Sequence, residues 1–411
     1  MTDTFGDYFT IRRGNTYQGA LLGQPGPVLL GLASIARNGG FKADNLKTYG
    51  GASDERILLK PGDIYVSLKD VTQSADLLGS VARVPSHVAM GRLTQDTVKI
   101  EFKKQDAPAD YIYWLLRTPQ YREYCRARAT GTTNLGLARE DFLAFPVPEL
   151  SESRRQIVGF LQAIEEKIQS NREINETLES MAREIFKDWF VDFGPTRAKS
   201  ECHKPYLSAD LWSLFPELFD SDGKPEGWSF KELGDVAKQA GSIVDPRTLD
   251  PNTCYIGLEH MPRRSIALTE WGEAGNVTSG KLSFQKGDFL FGKLRPYFHK
   301  VGIAPLSGIS STDIVVLNAC NQNAAAFVLI CISQDDFVQF ADRASDGTKM
   351  PRTSWGRMSR YRVCIPSISV LEAFSEIVDP MLERIVSNIH ESHSLSKMQE
   401  IILPKLISGA L

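Results

Sequence analysis

The segment that decides the fold is IVGFLQAIEEKIQSNREINETLESMAREIFKDWFVDFGPTRAK, from Ile157 to Lys199. Its uncharged positions recur at alternating steps of four and three residues, which is the spacing of a coiled-coil seam. The seam positions are Ile157, Leu161, Ile164, Ile168, Asn171, Asn175, Leu178, Ala182, Ile185 and Trp189. This spacing predicts one long helix whose seam packs against a partner helix.

A second copy of the seam lies later in the sequence, and Asn171 of the first copy matches Asn388 of the second. The second seam consists of Phe374, Val378, Met381, Ile385, Asn388, Ser392, Leu395, Gln399, Ile402 and Leu406. Polar seam residues cost stability, but they penalise a slipped register, so we expect them to fix how the helices align. Pro380 and Pro404 predict a kink near the first proline and a helix end near the second.

The segments that precede each helix also match one another. KPGD at 60–63 matches QKGD at 285–288, and DTVKIEF at 96–102 matches DIVVLNA at 313–319. Both modules mix such β-rich runs with short helical stretches, for example ADYIYWLLRTPQYREYCRA at 109–127. The sequence therefore predicts an α+β fold with an internal repeat.

The repeat sets the expected domain boundaries. A connector rich in Pro, Gly and Asp, with one short helix, separates the first long helix from the second module. The expected segments are a first module at 1–150, a long helix at 151–193, the connector at 194–227, a second module at 228–369 and a second long helix at 370–411.

Composition restricts the class of protein. The 411 residues include 47 Lys and Arg against 50 Asp and Glu, a net charge of −3, so any DNA-binding surface must be local. The six cysteines form no C-x-x-C pair, which favours a reduced setting. The sequence begins MTDTFGDYFTIRRG, without a basic start followed by an apolar run, and no apolar stretch is long enough to cross a bilayer. We expect a cytoplasmic protein.

Motifs for catalysis are missing. An adenine methyltransferase would need a glycine loop for S-adenosylmethionine and an N/D-P-P-Y/F-type motif, and neither occurs. GNVTSGKL at 275–282 matches G-x-x-x-x-G-K, but it lacks the Ser or Thr after the lysine, and strand-like sequence follows where a P-loop requires a helix. We therefore expect a non-catalytic binding protein.

Basic clusters occur in both modules despite the acidic total. Six cations lie between Arg343 and Arg362 against a single acid, Asp346. Arginine can pair with phosphate or read guanine edges, although charge runs of this size are usually solvated surface. The candidate DNA-binding residues are Lys69, Arg83, Arg92, Arg128, Thr132, Thr133 and Asn134 in the first module, and Lys293, Arg295, Tyr297, Lys300, Lys349, Arg352 and Arg357 in the second.

The segment from Ile157 to Lys199 resembles the central conserved region of the specificity subunits of type I restriction-modification systems. IILPKLISGAL at 401–411 resembles their distal conserved region, and the likeness in layout covers nearly the whole chain. The resemblance implies two similar target-recognition domains separated by two long antiparallel coiled-coil helices, with pseudo-twofold symmetry. Each domain would read one half of a bipartite DNA site, and the helices would set the distance between the halves.

The resemblance also implies partners: double-stranded DNA, two methyltransferase subunits, and restriction or translocase subunits. No cofactor is expected in this chain, because S-adenosylmethionine, and ATP with magnesium, would be bound by the partner subunits. The target adenines would be flipped into a partner's pocket. The exposed helix faces and four aromatic residues are candidates for binding the methyltransferase subunits, but the aromatic residues could equally pack against the neighbouring module. These four are Phe186, Trp189, Phe190 and Phe193.

Other functions remain open at this level. The chain could serve a modification system without restriction, or it could be a coiled-coil scaffold that does not bind DNA. A nuclease or methyltransferase with degenerate motifs is a third possibility. Salt-sensitive DNA binding would argue against the scaffold, since phosphate contacts weaken as salt rises. Cofactor binding by the isolated chain would favour the enzyme.

Overall fold

The computed structural model describes residues 3–37, 39–43, 46–72, 74–132, 134–347 and 349–409. The chain forms two compact units. The first comprises Met1–Glu166 with Leu395–Leu411, and the second comprises Lys167–Ser394. Each long helix therefore contributes residues to both units.

The first unit is an α+β structure built on an antiparallel sheet. Its strands are β1 Phe9–Arg13, β2 Val28–Leu30, β3 Leu58–Leu59, β4 Ile64–Ser67, β5 Lys69–Asp70, β6 Val81–Arg83, β7 Gly91–Leu93, β8 Thr97–Phe102 and β9 Leu135–Gly136, and its helices are α1 Phe5–Tyr8, α2 Ala109–Leu115, α3 Pro119–Ala127 and α4 Arg139–Leu143. The main sheet has the order β1-β8-β4-β6, and a second sheet has the order β2-β7-β3. All four residues of β4 are buried, as expected for a central strand. Thr118 caps α3, and Pro119 occupies its first turn.

The first long helix, α5, spans Glu152–Phe190 and leads into the second unit. The elements that follow are β10 Ser229–Glu232, β11 Ala237–Gln239, β12 Ile243–Val244, β13 Cys254–Ile256, β14 Gly272–Glu273, β15 Lys281–Phe284, β16 Phe289–Gly292, β17 Val301–Ile303, β18 Gly308–Ser310, β19 Ile314–Ala319 and β20 Arg362–Ile365, with α6 Gly194–Ser200, α7 Ala209–Ser213, α8 Ala325–Ile332, α9 Asp335–Arg343 and α10 Trp355–Met358. The connector thus carries two short helices, where the sequence predicted one. The second long helix, α11, spans Ile368–Ile402, and α12 spans Lys405–Ser408.

The two units share one sheet topology. The second unit's main sheet has the order β11-β19-β16-β17, which matches β1-β8-β4-β6 strand for strand. In both units a short parallel pair, β2 with β7 and β13 with β18, is extended by an antiparallel strand, β3 or β15. The second unit adds β12 and β14 at the edges of this smaller sheet. The predicted repeat is therefore confirmed at the level of strand order.

The repeat extends to one particular turn. Gly62 and Gly287 both adopt positive φ, +87° and +90°, which a glycine accepts without strain. The carboxylate of the next residue closes the turn in each unit: Asp63 accepts from the amide of Lys60, and Asp288 accepts from the amide of Gln285. The matching sequences at 60–63 and 285–288 therefore encode the same local structure.

The predicted seam joins α5 and α11 within the second unit. The side-chain amide of Asn388 donates to the Oδ1 atom of Asn175 at 2.8 Å, and Asn171 donates to Glu391 at 2.9 Å and to Ser392 at 3.2 Å. Because higher residue numbers on α5 meet lower numbers on α11, the two helices run antiparallel. The polar seam positions are therefore hydrogen-bonded to one another across the helix pair.

The second long helix contains one of the two prolines at which the sequence predicted a change. It continues through Pro380, where one backbone donor is missing, and ends at Ile402, shortly before Pro404. The predicted end near Pro404 is confirmed. The short helix that follows buries Leu406 in the core of the first unit. The guanidinium of Arg154 donates to the carbonyls of Leu406 and Ile407 at 3.0 and 2.7 Å.

Glu179 on α5 is a buried carboxylate that holds a loop of the second unit. It accepts hydrogen bonds from the hydroxyl of Ser265 at 2.7 Å and the amide of Ile266 at 3.0 Å, and it pairs with Arg183 at 3.1 Å. Desolvation by burial outweighs these contacts and raises the pKa of the Glu179 carboxyl.

Glu179→Gln is therefore expected to remove a pH dependence of stability. With its folded pKa above the unfolded value of about 4.3, Glu179 contributes stability that is present below that pH and lost as pH rises through the folded pKa. The free energy of unfolding of the natural chain, relative to Glu179→Gln, should fall between about pH 4 and pH 7. Urea unfolding at both pH values measures this difference. The exposed Glu176→Gln is the control for charge removal, and a constant difference for Glu179→Gln would contradict the prediction.

Candidate nucleic-acid interface

Two basic clusters that are distant in sequence meet in the second unit. We call residues 293–300 and 346–357 the second-unit basic loops. An isolated antiparallel bridge joins Leu294 of one loop to Arg352 of the other. Backbone hydrogen bonds extend this contact, since the amide of Arg295 donates to the carbonyl of Pro351 at 2.7 Å. Candidates that the sequence supplied separately thus form one surface.

Acids compensate part of the charge on this surface. Arg352, which is 53% exposed, pairs with Asp313 at 2.8 Å, and Arg357 pairs with Asp346 at 2.6 Å. The guanidinium of Arg357 also donates to the carbonyl of Ala344 at the end of α9, so part of its role is structural. Lys349 lies exposed beside them. The surface therefore presents Lys349 and Arg352 outward, while Arg357 holds the loop.

A strained turn forms the other edge of the second-unit basic loops. Arg295 and His299 both have φ of +52°, in the left-handed region that non-glycine residues rarely adopt. They bracket the short turn Pro296–Phe298, on which Tyr297 is exposed. Strain of this kind persists only where surrounding contacts fix the backbone, and it is common at functional sites. The surrounding contacts therefore fix the backbone of this turn on the candidate surface.

The sequence did not identify one cation at this turn. The guanidinium of Arg263 lies 4.0 Å from the ring centroid of Phe298, within the range of a cation–π contact. Arg263 and Arg264 form a pair that is too short to stand out as a basic cluster in the sequence. Lys300, which the sequence did select, donates to the carbonyl of Leu258.

The first unit places its candidate loop at the same position of the fold. The strand pair β5 and β9 aligns Lys69 with Gly136, as the bridge aligns Leu294 with Arg352. Thr132 and Asn134 are exposed in the enclosed loop, whereas Thr133 lies outside the described residues. Both units therefore carry a loop after a short helix, α3 or α9, and this loop is held against the segment that follows β4 or β16.

The candidate surfaces of the two units share an anchoring acid. In the first unit Asp96 lies 3.5 Å from Lys69, and in the second Asp313 lies 2.8 Å from Arg352. Both acids immediately precede matching strands, β8 and β19. An aspartate at the start of the same strand thus holds a cation of the candidate surface in each unit.

Arg92 is a correction to the sequence interpretation. Its side chain is 2% exposed, stacks on Tyr49 and donates to Asn15, to Ser53 and to two backbone carbonyls. A guanidinium that is fully engaged inside the fold is not available to DNA. Arg92 therefore ties loops of the first unit together.

Two other arginines of the first unit stack on tyrosines. Arg83 pairs with Asp110 at 2.5 Å, and its guanidinium lies 4.5 Å from the ring centroid of Tyr113. The guanidinium of Arg128 lies 3.7 Å from the ring centroid of Tyr124. Arg128 remains on the surface near the Thr132 loop, whereas Arg83 is only partly exposed.

The aromatic end of α5 is a second correction. Phe186, Trp189 and Phe190 are buried in the core of the second unit, and all three rings contact the ring of Phe374. Phe193 packs against the same core. The alternative that these aromatic residues pack internally is therefore the one observed, and they are not an exposed surface for a partner.

Among residues 3–409 that have described positions, no group of three or more His, Cys, Asp or Glu is arranged to hold a metal ion. In the same described part, no single helix is long and apolar enough to span a membrane. One bent pair, Gln322–Ile332 with Asp335–Arg343, passes that test on length and composition.

Comparisons with known proteins agree with this architecture. No family model matches the chain. It is 23% identical over 323 residues to the specificity subunit of the type I restriction enzyme MjaIX of Methanocaldococcus jannaschii, which covers 75% of this chain and 70% of that protein. It is 22% identical over 359 residues to the HindI specificity subunit of Haemophilus influenzae, with 74% and 77% covered.

A solved structure shares the fold. The S subunit of a type I restriction-modification system from M. genitalium matches with a TM-score of 0.54 and 13% identity, over 99% of this chain and 95% of that one. The fold is thus that of a duplicated α+β protein with long paired helices. The chain is a homologue of type I restriction enzyme specificity subunits.

Proposed function

We propose that this chain is the DNA-sequence-specificity subunit of a type I restriction-modification enzyme, and that each unit reads one half of a bipartite DNA site. The observation that carries the proposal is a candidate surface at the same position of the fold in both units, where a loop is held against the segment that follows β4 or β16. In each unit an aspartate at the start of the matching strand pairs with one cation of that surface. A protein that reads two half-sites requires such a duplicated surface.

The exposed groups suit a duplex. Lys349 and Arg352 can neutralise phosphates, while Thr132 and Asn134 offer the hydroxyl and amide groups that contact base edges or sugar and phosphate oxygens. The two units carry different side chains on a shared framework. We infer that the framework positions the duplex and that the loop side chains set the two sequences read.

Catalysis belongs to partners in this proposal. Two methyltransferase subunits would bind S-adenosylmethionine and flip the target adenines, and restriction subunits would use ATP with magnesium. The exposed apolar side chains of the long helices suit the docking of these subunits better than the buried aromatic end does. In the first unit they are Phe160, Met398 and Ile401. The assembly would act in the cytoplasm.

The test is single-molecule sequencing of adenine methylation in cells that express this chain together with the methyltransferase subunits of its own system. A bipartite methylated motif is expected, and it should disappear when this chain alone is deleted. Reintroducing the chain should restore the motif. Methylation that is unchanged by the deletion would reject the specificity role and favour the scaffold.

A further inference from the structure

We propose that Tyr297 is the stacking residue of the second unit, and that its ring lies against a base in the half-site that this unit reads. This inference rests on the proposed function and assigns one step of it to one side chain. Tyr297 is 51% exposed on a surface otherwise rich in cations. Aromatic rings among cations stack on bases that are exposed, and in a duplex a side chain exposes a base face by inserting at a base step.

Hydrogen bonds fix the backbone of the turn that carries this ring. The amide of Phe298 donates to the carbonyl of Arg295 at 2.9 Å, and the amide of His299 donates to the carbonyl of Pro296 at 2.8 Å. The buried ring of His299 forms a further hydrogen bond, from its Nε2 atom to the carbonyl of Ser333 at 2.9 Å. A ring on a fixed turn loses little conformational entropy on binding, which favours its use as a contact residue.

Aromatic and cationic side chains surround Tyr297 on this turn. The Tyr297 ring contacts Phe298 with centroids 4.7 Å apart. The guanidinium groups of Arg263 and Arg295 lie 4.0 and 5.9 Å from the Phe298 ring. A base stacked on Tyr297 would bring its own phosphates toward these cations. Stacking and charge neutralisation would therefore act on adjacent parts of one strand.

Among the described residues of the first unit, no aromatic residue is exposed at the equivalent place. After Lys69 its chain enters a longer turn, in which the buried carboxylate of Asp70 accepts from the amides of Thr72 and Leu77. The exposed side chain at this place is the aliphatic Val71, which is 64% exposed. The effect of removing a stacking ring should therefore be confined to one half-site.

The test uses the full chain assembled with its methyltransferase subunits, and duplexes that carry the methylated motif with 2-aminopurine at successive positions. In the natural complex, a base of one half-site other than the flipped adenine should show a change in fluorescence on binding. Tyr297→Ala should abolish that change and weaken binding about tenfold or more. Tyr297→Phe, which keeps the ring, should preserve the change and bind within about threefold of the natural complex. Thermal unfolding verifies that both variants are folded.

Val71→Ala is the matched control, and it should leave the same fluorescence position unaffected. The inference is overturned if Tyr297→Ala binds and fluoresces like the natural complex, or if Tyr297→Phe loses as much as alanine does. Those outcomes leave DNA recognition itself intact. A natural complex that binds the motif no better than a scrambled duplex would instead reject the proposed function, and this inference with it.

Discussion

Replacing Lys349 and Arg352 together by glutamine is expected to weaken binding to duplex DNA about 100-fold at 0.15 M salt. Both side chains are exposed on the second-unit basic loops, and each can neutralise one phosphate and release its counterion. The slope of the logarithm of the binding constant against the logarithm of the salt concentration should therefore become less negative by about two. Fluorescence anisotropy over a salt series, with the assembled complex and a motif duplex, measures both quantities.

The control removes the same charge from the opposite end of the main sheet. Lys238 on β11 is aligned with Asn318, at the end of β19 opposite to Asp313. Lys286 lies in the turn before β16, whereas Lys293 of the basic loops follows β16. Lys238→Gln with Lys286→Gln should change affinity by less than about threefold, because cations more than a Debye length from the duplex are screened. Equal losses in the two double variants would show a general charge effect and contradict a local interface.

The other large effect concerns the polar seam. Asn388→Leu should destabilise the chain by about 2 kcal/mol, because the buried Oδ1 atom of Asn175 would lose the hydrogen bond that Asn388 donates. Asn175→Leu combined with Asn388→Leu should recover most of this loss or exceed the natural stability, since two apolar side chains need no hydrogen bond. Chemical unfolding of the two single variants and the double variant gives the coupling energy.

Recovery of stability should come with a loss of register specificity. Asn388 Oδ1 and Asn171 Oδ1 are buried without hydrogen-bond partners, so the natural seam already carries a stability cost. The polar residues nevertheless favour the natural register, because a slipped helix pair would leave still more polar groups unpaired. Cysteine pairs placed across α5 and α11 should cross-link at one register in the natural chain and at several in the double leucine variant. Additive destabilisation in the double variant would show that the two asparagines act independently.

Periodicity and repetition carried the sequence prediction of the fold. The seam spacing placed both long helices, because a regular apolar stripe leaves few alternatives for a chain segment. The match of 60–63 with 285–288 identified a turn whose carboxylate and glycine are both required by its geometry. Strand order could not be obtained in this way, since pairing between strands depends on contacts that are distant in sequence.

The candidate site was less predictable. Arg92 and Arg352 look alike in sequence, yet one is sealed among loops and the other is exposed beside Asp313. The aromatic residues from Phe186 to Phe193 fit either a partner surface or a core, and only the neighbouring helices decide between these. Arg263 became a candidate because a turn brings it to Phe298. Exposure and pairing are tertiary properties, so a charge pattern alone cannot assign them.

The order of synthesis gives the split first unit a further consequence. Its core includes Leu406, and Arg154 binds backbone carbonyls at 406 and 407, but the ribosome adds these residues only after it has synthesised the whole second unit. The first unit therefore remains incomplete throughout the synthesis of the second. During translation its exposed apolar surface would be a target for chaperones.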